Sequence, residues 1–202
     1  MSRYVMAARP PSRSASRPPG LPTTPDRTGL HDAAIRHLAR YATTASGLLR
    51  VLARRIDRWS RATQPEPDAI ATAREAAREV VAALVASGLI DDQAFAAMRA
   101  KSLTRAGRSR RAVAAHLAQR GIDSDMMRAA LPEDAEAELA AAVLLVRKRR
   151  LGAFSPMPMD AEARHRAFGI LARAGFTQDT ARRALAATPD EAEGRIAKLR
   201  RD

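Results

Sequence analysis

Apolar residues recur along this chain at the spacing of one helix face, and polar or proline-containing breaks divide the pattern into segments. From Asp32, the positions Ile35, Leu38 and Ala42 share a face. After a break at Thr43 and Thr44, Leu48, Leu49, Leu52 and Ile56 form a second stripe, with Thr44 placed to cap its helix. Pro65 and Pro67 mark a linker, and Pro67 suits the first turn of a third helix. That helix carries Ile70, Ala73, Ala77, Val81, Leu84 and Val85 on one side and stops at Gly88.

The same grammar continues downstream. Asp91 or Asp92 caps a fourth helix with Phe95, Met98 and Leu103 on its apolar side, ending before Gly107. Ser109 caps a fifth with Val113 and Leu117, stopped by Gly121, and a sixth runs from Asp123 to the Leu131–Pro132 break. Ile122 and Met127 match a hydrophobic staple across the start of the sixth. A seventh helix covers Glu133 to Arg150, with acids first and bases last, as the helix dipole favours. Two more follow, from Ala161 to Ala174 and from Thr177 to Ala187, and a short helical tail spans Asp190 to Arg200. With aromatics at 3% and an apolar set dominated by Ala, Leu and Val, the expected fold is all-α, with about nine helices.

The segment from Leu117 through Gly121, Ile122, Asp125 and Arg128 to Leu131 aligns without a gap with Leu171, Gly175, Phe176, Asp179, Arg182 and Leu185. One supersecondary unit is therefore used twice. The first three helices are a weaker copy, in which Leu48 and Leu52 stand for Val113 and Leu117 and Ile56 occupies the position of Gly121. The expected organisation is a disordered basic tail over residues 1–29, then three-helix repeats over 30–87, 88–131 and 132–202, the last with the helical tail. Each unit is expected to need its neighbours to bury its apolar stripe, giving a curved, elongated row.

Charge sharpens the picture. The formal net charge is +13, and Lys occurs only at Lys101, Lys148 and Lys198, so the excess is almost all Arg. A codon bias accounts for Arg over Lys but not for the surplus over Asp and Glu. Such a surface attracts polyanions and disfavours self-association, so a monomer that meets nucleic acid, an anionic membrane surface or an acidic protein is expected. The clusters that could do this are Arg105, Arg108, Arg110 and Arg111, then Arg147, Lys148, Arg149 and Arg150, then Arg164, Arg166 and Arg173, with Arg120 a further candidate, since guanidinium groups bridge phosphates or carboxylates bidentately. Tyr41, Trp59 and Phe154 are dispersed, so base stacking contributes little, and binding to single-stranded DNA is expected to be electrostatic, sequence-blind and salt-sensitive.

Several chemistries find no support. Cysteine is absent, which removes disulfides and thiolate metal sites. His31, His37, His116 and His165 lack the spacing of a metal pair, and no phosphate-cradling glycine loop occurs. Asp91 and Asp92 lack convergent partners for acid–base work and read as a helix cap. Neither an enzyme nor a cofactor is expected. The longest apolar run, Leu139 to Val146, is too short to span a membrane and is closed by Arg147 to Arg150. Residues 1–29 have no acidic residue before Asp26, a composition shared by a bacterial basic extension and, alternatively, an organellar transit peptide; a bacterial cytoplasmic location is expected.

Gly88, Leu89, Ile90, Asp91, Asp92, Phe95 and Ala96 fit a pattern of glycine, two hydrophobics, two aspartates, an aromatic and an alanine. With Gly107, Arg111, the Leu117–Gly121 helix end and Gly175–Phe176, this resembles the RecX family, over about residues 32–187. Lacking a glycine at Ile56 and having Gly47 where the family carries Glu, the first unit departs from that pattern. The resemblance implies a regulator that binds the RecA filament on single-stranded DNA and inhibits its ATPase, strand-exchange and co-protease activities, and so regulates DNA repair, recombination and the SOS response. A stand-alone DNA-binding regulator of helix-turn-helix type, using Ser109 to Leu131, is the alternative; Ser124, Asp125 and Met126 would give it a poor base-reading surface.

Overall fold

In the computed structural model, which describes residues 24–201, Asp26 accepts a hydrogen bond from the Gly29 amide at 2.8 Å and so starts α1 (Arg27–Leu38) ahead of the expected Asp32. Residues 27–29 therefore belong to a helix and not to the basic leader, most of which lies outside the described residues. Thr44 caps α2 (Ala45–Thr63), and Pro67 opens α3 (Pro67–Ala86). These three helices enclose a cluster that includes Leu30, Leu48, Leu52, Ile56, Trp59, Val80 and Leu84.

The second unit comprises α4 (Asp92–Arg105), α5 (Arg110–Gln119) and α6 (Ser124–Ala130). Its core is Ala96, Ala100, Val113, Leu117, Ile122 and Leu131, with Phe95 packed against it. In the third unit α7 (Ala135–Lys148) is followed by a short 3-10 turn (Gly152–Phe154), then α8 (Ala161–Arg173), α9 (Gln178–Ala186) and α10 (Pro189–Arg201); α9 and α10 pack on α7, and α8 packs on α9. Ala192, Ile196 and Leu199 of α10 join Leu139, Val143, Leu171 and Phe176 in its core. The expected helical tail is thus a core element of the last unit. All ten helices and the absence of strands among the described residues agree with an all-α fold.

Three separate apolar clusters mean that each unit buries its own stripe, contrary to the expectation that it would need its neighbours. Helix caps join the units, beside direct packing of α4 on α7. Thr44 Oγ1 accepts from the Gly47 amide at 2.9 Å and donates to the Arg120 carbonyl at 2.6 Å, where α5 ends. Ser109 Oγ repeats this one unit later: it accepts from the Ala112 amide at 3.1 Å and donates to the Ala174 carbonyl at 2.6 Å, where α8 ends. A hydroxyl can do both because it carries a donor and two acceptor lone pairs. Thr44 and Ser109, 1% and 0% exposed, are the two buried polar residues among those described.

A second bond accompanies each hydroxyl. The first amide of α2, Ala45, donates to Asp92 Oδ1 at 2.9 Å, and the first amide of α5, Arg110, donates to Glu138 Oε2 at 2.8 Å. The paired aspartates thereby divide their work. Asp91 caps its own helix through the Ala94 amide at 2.8 Å, while Asp92 satisfies the helix of the preceding unit. The matched glycines follow from the same junction. Gly121 and Gly175 have φ of 84° and 92°, and a Cβ would stand 2.4 Å from Ser46 Cβ at the first and 2.7 Å from Ser109 Oγ at the second. At Ile56, the position that matches these glycines, α2 does not stop; it runs on to Thr63 and turns at Gln64, with φ 44°.

Substituting Ser109→Ala strands a buried carbonyl and removes a cap, so a loss of about 2–3 kcal/mol in unfolding free energy is expected by denaturant titration. Ser124→Ala, at an exposed site, is expected to change little. Glu138 gives a pH signature. Burial raises its carboxyl above the ordinary range, opposed by the Arg110 amide and charge. A carboxyl raised on folding stabilises the native state below its unfolded pKa, and that contribution fades as pH rises through the folded value. Glu138→Gln keeps an acceptor without the charge, so its stability relative to wild type is expected to be highest at neutral pH and to shrink on acidification towards pH 4.

Candidate nucleic-acid interface

The cationic side chains divide into those held by the fold and those presented to solvent. In the group at residues 147–150, Arg147 pairs with Glu193 at 3.0 Å and is 28% exposed, and Lys148 Nζ donates to the Ala106 carbonyl at 2.7 Å, closing the end of α4. Arg149 and Arg150 remain exposed and, among the described residues, have no ion-pair partner. The structure thus splits this group. Arg166 is paired with Glu162 one turn back on α8, while Arg164 and Arg173 lie exposed on the same helix.

Along α5 the outcome is different. His116 lies one turn before Arg120, the C-cap of the helix, and Arg108 sits in the loop just ahead of its Ser109 cap. Arg99 of α4 reaches across to them, and its Nε donates to His116 Nε2 at 3.3 Å. Burial depresses the His116 pKa, and the positive charges of Arg99, Arg120 and Arg108 depress it further. Among the described residues none of these three arginines makes a salt bridge. Arg50 adds a cation at the same turn, because its Nη1 donates at 2.8 Å to Ser46, the residue pressed against Gly121. Arg50, Arg99 and His116 were not among the residues expected to bind. The one-turn spacing of His116 and Arg120 was the readable signal; Arg50 and Arg99 come from other helices and carried none.

Arg105 and Arg110 occupy another place. With Lys101, Asp134, Glu138 and Leu199 they line a groove of about 480 Å³ where the second and third units meet. Arg110 Nε donates to the Leu131 carbonyl at 3.2 Å, and Arg105 Nε is buried without a protein partner. Arg111 is exposed beside Gly175 at that junction. The four arginines expected to act as one cluster therefore separate: Arg108 joins Arg120 in the α5 strip, Arg105 and Arg110 line the groove, and Arg111 lies at the glycine turn.

An apolar groove of about 600 Å³ lies between the end of α1 and the start of α4, lined by Ile35, Leu38, Tyr41, Leu89, Phe95 and Met98 among others. Ile35 and Met98, expected in cores, are 37% and 56% exposed there. Helical spacing identified their faces but could not show that the two units stand apart at this point. No helix among the described residues is long and apolar enough to cross a membrane.

Residues 91–131, which hold α4 to α6, match the model of the second three-helix domain of RecX. A relative from Myxococcus xanthus (strain DK1622), named Regulatory protein RecX, is 38% identical over 183 residues, covering 89% of this chain and 96% of the relative. Another of the same name from Halorhodospira halophila (strain DSM 244 / SL1) is 34% identical over 164 residues, 81% of this chain and 91% of its own. The crystal structure of RecX from Lactobacillus salivarius shares the fold, with a TM-score of 0.55 at 17% identity over 88% of this chain and 98% of that one. A further crystal structure of regulatory protein RecX gives a TM-score of 0.59 at 21% identity over 76% of this chain and 68% of that one. Near-complete coverage at this identity, together with the three cap-linked helical units, means that the chain belongs to the RecX family of regulatory proteins.

Proposed function

We propose that this protein binds the RecA filament on single-stranded DNA and restrains its ATP turnover, strand exchange and co-protease activity. The observation that carries this reading is the strip of guanidinium groups on α5 and its junctions, where Arg99, Arg108 and Arg120 have no acidic partner among the described residues. Guanidinium groups that are already ion-paired have little to offer a phosphate; unpaired ones release counterions on binding and gain from it. Family membership favours RecA as the partner, and the unpaired guanidinium groups favour a backbone-directed, sequence-blind mode. The protein acts here as a cytoplasmic monomer without catalysis of its own.

The helix-turn-helix alternative is less well supported. α6 has seven residues, its start is acidic at Asp123 and Asp125, and Arg128 is engaged by Asp125. Its first turn would meet DNA phosphates with like charge and offers no bidentate base reader.

Added at equimolar ratio to RecA on single-stranded DNA, the protein is expected to lower ATP hydrolysis and strand exchange. Unchanged rates at equimolar and higher ratios would overturn the reading. The double variant R108A/R120A is expected to weaken binding and to flatten its dependence on log salt by about 0.7 for each phosphate that is no longer neutralised. R147A, which removes a fold-held cation, is expected to leave that slope unchanged.

A further inference from the structure

The α5 strip contains one group whose charge changes near neutral pH, and its surroundings are unusual. His116 is partly buried, and every charged group acting on it is positive: Arg99 from α4, Arg108 from the loop before α5, and Arg120 from its own helix. No charged group of α6, the other helix packed on α5 within the unit, acts on it. Arg99 Nε–H donates to Nε2, so the ring is neutral and carries its proton on Nδ1. Arg99, at 3.3 Å, and Arg120, one turn further along, thus flank the imidazole, and among the described residues neither makes a salt bridge, an arrangement that favours the entry of an anion.

We propose that Arg99, His116 and Arg120 form a seat for a phosphate-type oxyanion, with Arg108 adding to its positive field, and that His116 takes up a proton when the anion binds. This rests on the reading of the α5 strip as a nucleic-acid surface, and it assigns that surface a specific position and a proton linkage. The step balances simply. One proton from solvent adds to Nε2, the bond from Arg99 Nε to that nitrogen breaks, and both the freed guanidinium N–H and the new imidazolium N–H donate to phosphate oxygens. No covalent bond to the ligand forms.

The sign follows from the surroundings. In the free protein, burial first and then Arg99, Arg120 and Arg108 hold the His116 pKa below its ordinary value, so the ring is neutral at pH 7. An oxyanion between the guanidinium groups offsets their repulsion and raises that pKa. Binding then consumes a proton, and affinity rises as pH falls, by up to about tenfold for each unit by which the bound pKa exceeds the free one. Backbone phosphates of nucleic acid and free inorganic phosphate share this chemistry.

The test is a proton NMR titration of the histidine ring signals of the full-length protein from pH 5 to 8, with His116 assigned by its absence in H116Q. It is run alone, with an oligothymidylate and with inorganic phosphate, beside fluorescence-anisotropy affinities for the oligomer across the same range. Expected is a His116 signal that titrates low in the free protein and moves upward with ligand, with binding that tightens on acidification in wild type and more weakly in H116Q. A shift with the oligomer alone assigns the seat to backbone phosphate, and a shift with inorganic phosphate as well supports a general oxyanion seat. A His116 pKa unmoved at saturating oligomer, absence of oligomer binding, or an H116Q pH profile equal to that of wild type would overturn the proposal. Filament inhibition that survives in those circumstances would leave the RecA reading standing; a moved His116 without any effect on RecA would do the reverse.

Discussion

Two buried hydroxyls organise this molecule. Thr44 and Ser109 each end the deficit of hydrogen bonds at two helices at once, accepting from the start of one and donating to the end of another in the next unit. Helix termini carry unsatisfied amides and carbonyls that burial makes costly. A single oxygen that serves both sides of a junction solves that problem and fixes the relative placement of the units. The carboxylates of Asp92 and Glu138 reinforce each junction, and the left-handed glycines at 121 and 175 let the backbones approach closely enough for it to form. Because the same device is used twice, the three units follow one another in a regular order.

That order decides which cations are available. Arg147 and Lys148 tie α7 to α10 and to the end of α4, so a group that is dense in sequence contributes largely to the fold. Among the described residues, cations near the hydroxyl junctions are also left without acids: Arg120 makes no ion pair but offers its carbonyl to Thr44, and Arg111 lies against Gly175. Structural bonds at the backbone and exposed guanidinium groups at the side chain occur in the same residues. A partner that touches the strip therefore touches the places where one unit is set against the next, and a bound polyanion would reinforce the order of the row.

Much of this architecture was legible in the sequence because it rests on local rules. Hydroxyls and aspartates before apolar periods gave Thr44, Asp91, Ser109 and Asp123 as caps, and glycines at the same offset gave the turns. The repeat and the aspartate pair together pointed to the RecX family. What local rules could not supply was anything that depends on separation between units. Helical spacing put Ile35 and Met98 in cores, whereas both line an open groove between units. Charge density ranked Arg147 to Arg150 as a binding group, whereas Glu193 from a helix far along the chain claims one member. Arg99 and His116 meet only because α4 and α5 pack side by side, a pairing that spacing along either helix does not contain.

The central claim is that the hydroxyl junctions set three units in order so that the α5 strip meets a nucleoprotein partner. Electron cryo-microscopy of the RecA filament on single-stranded DNA, decorated with this protein, addresses that claim most directly. The expected result is density in which α5 and the turns at Gly121 and Gly175 face the filament, with Arg99, Arg108 and Arg120 against it. Decoration made through α3, with α5 turned to solvent, would contradict it.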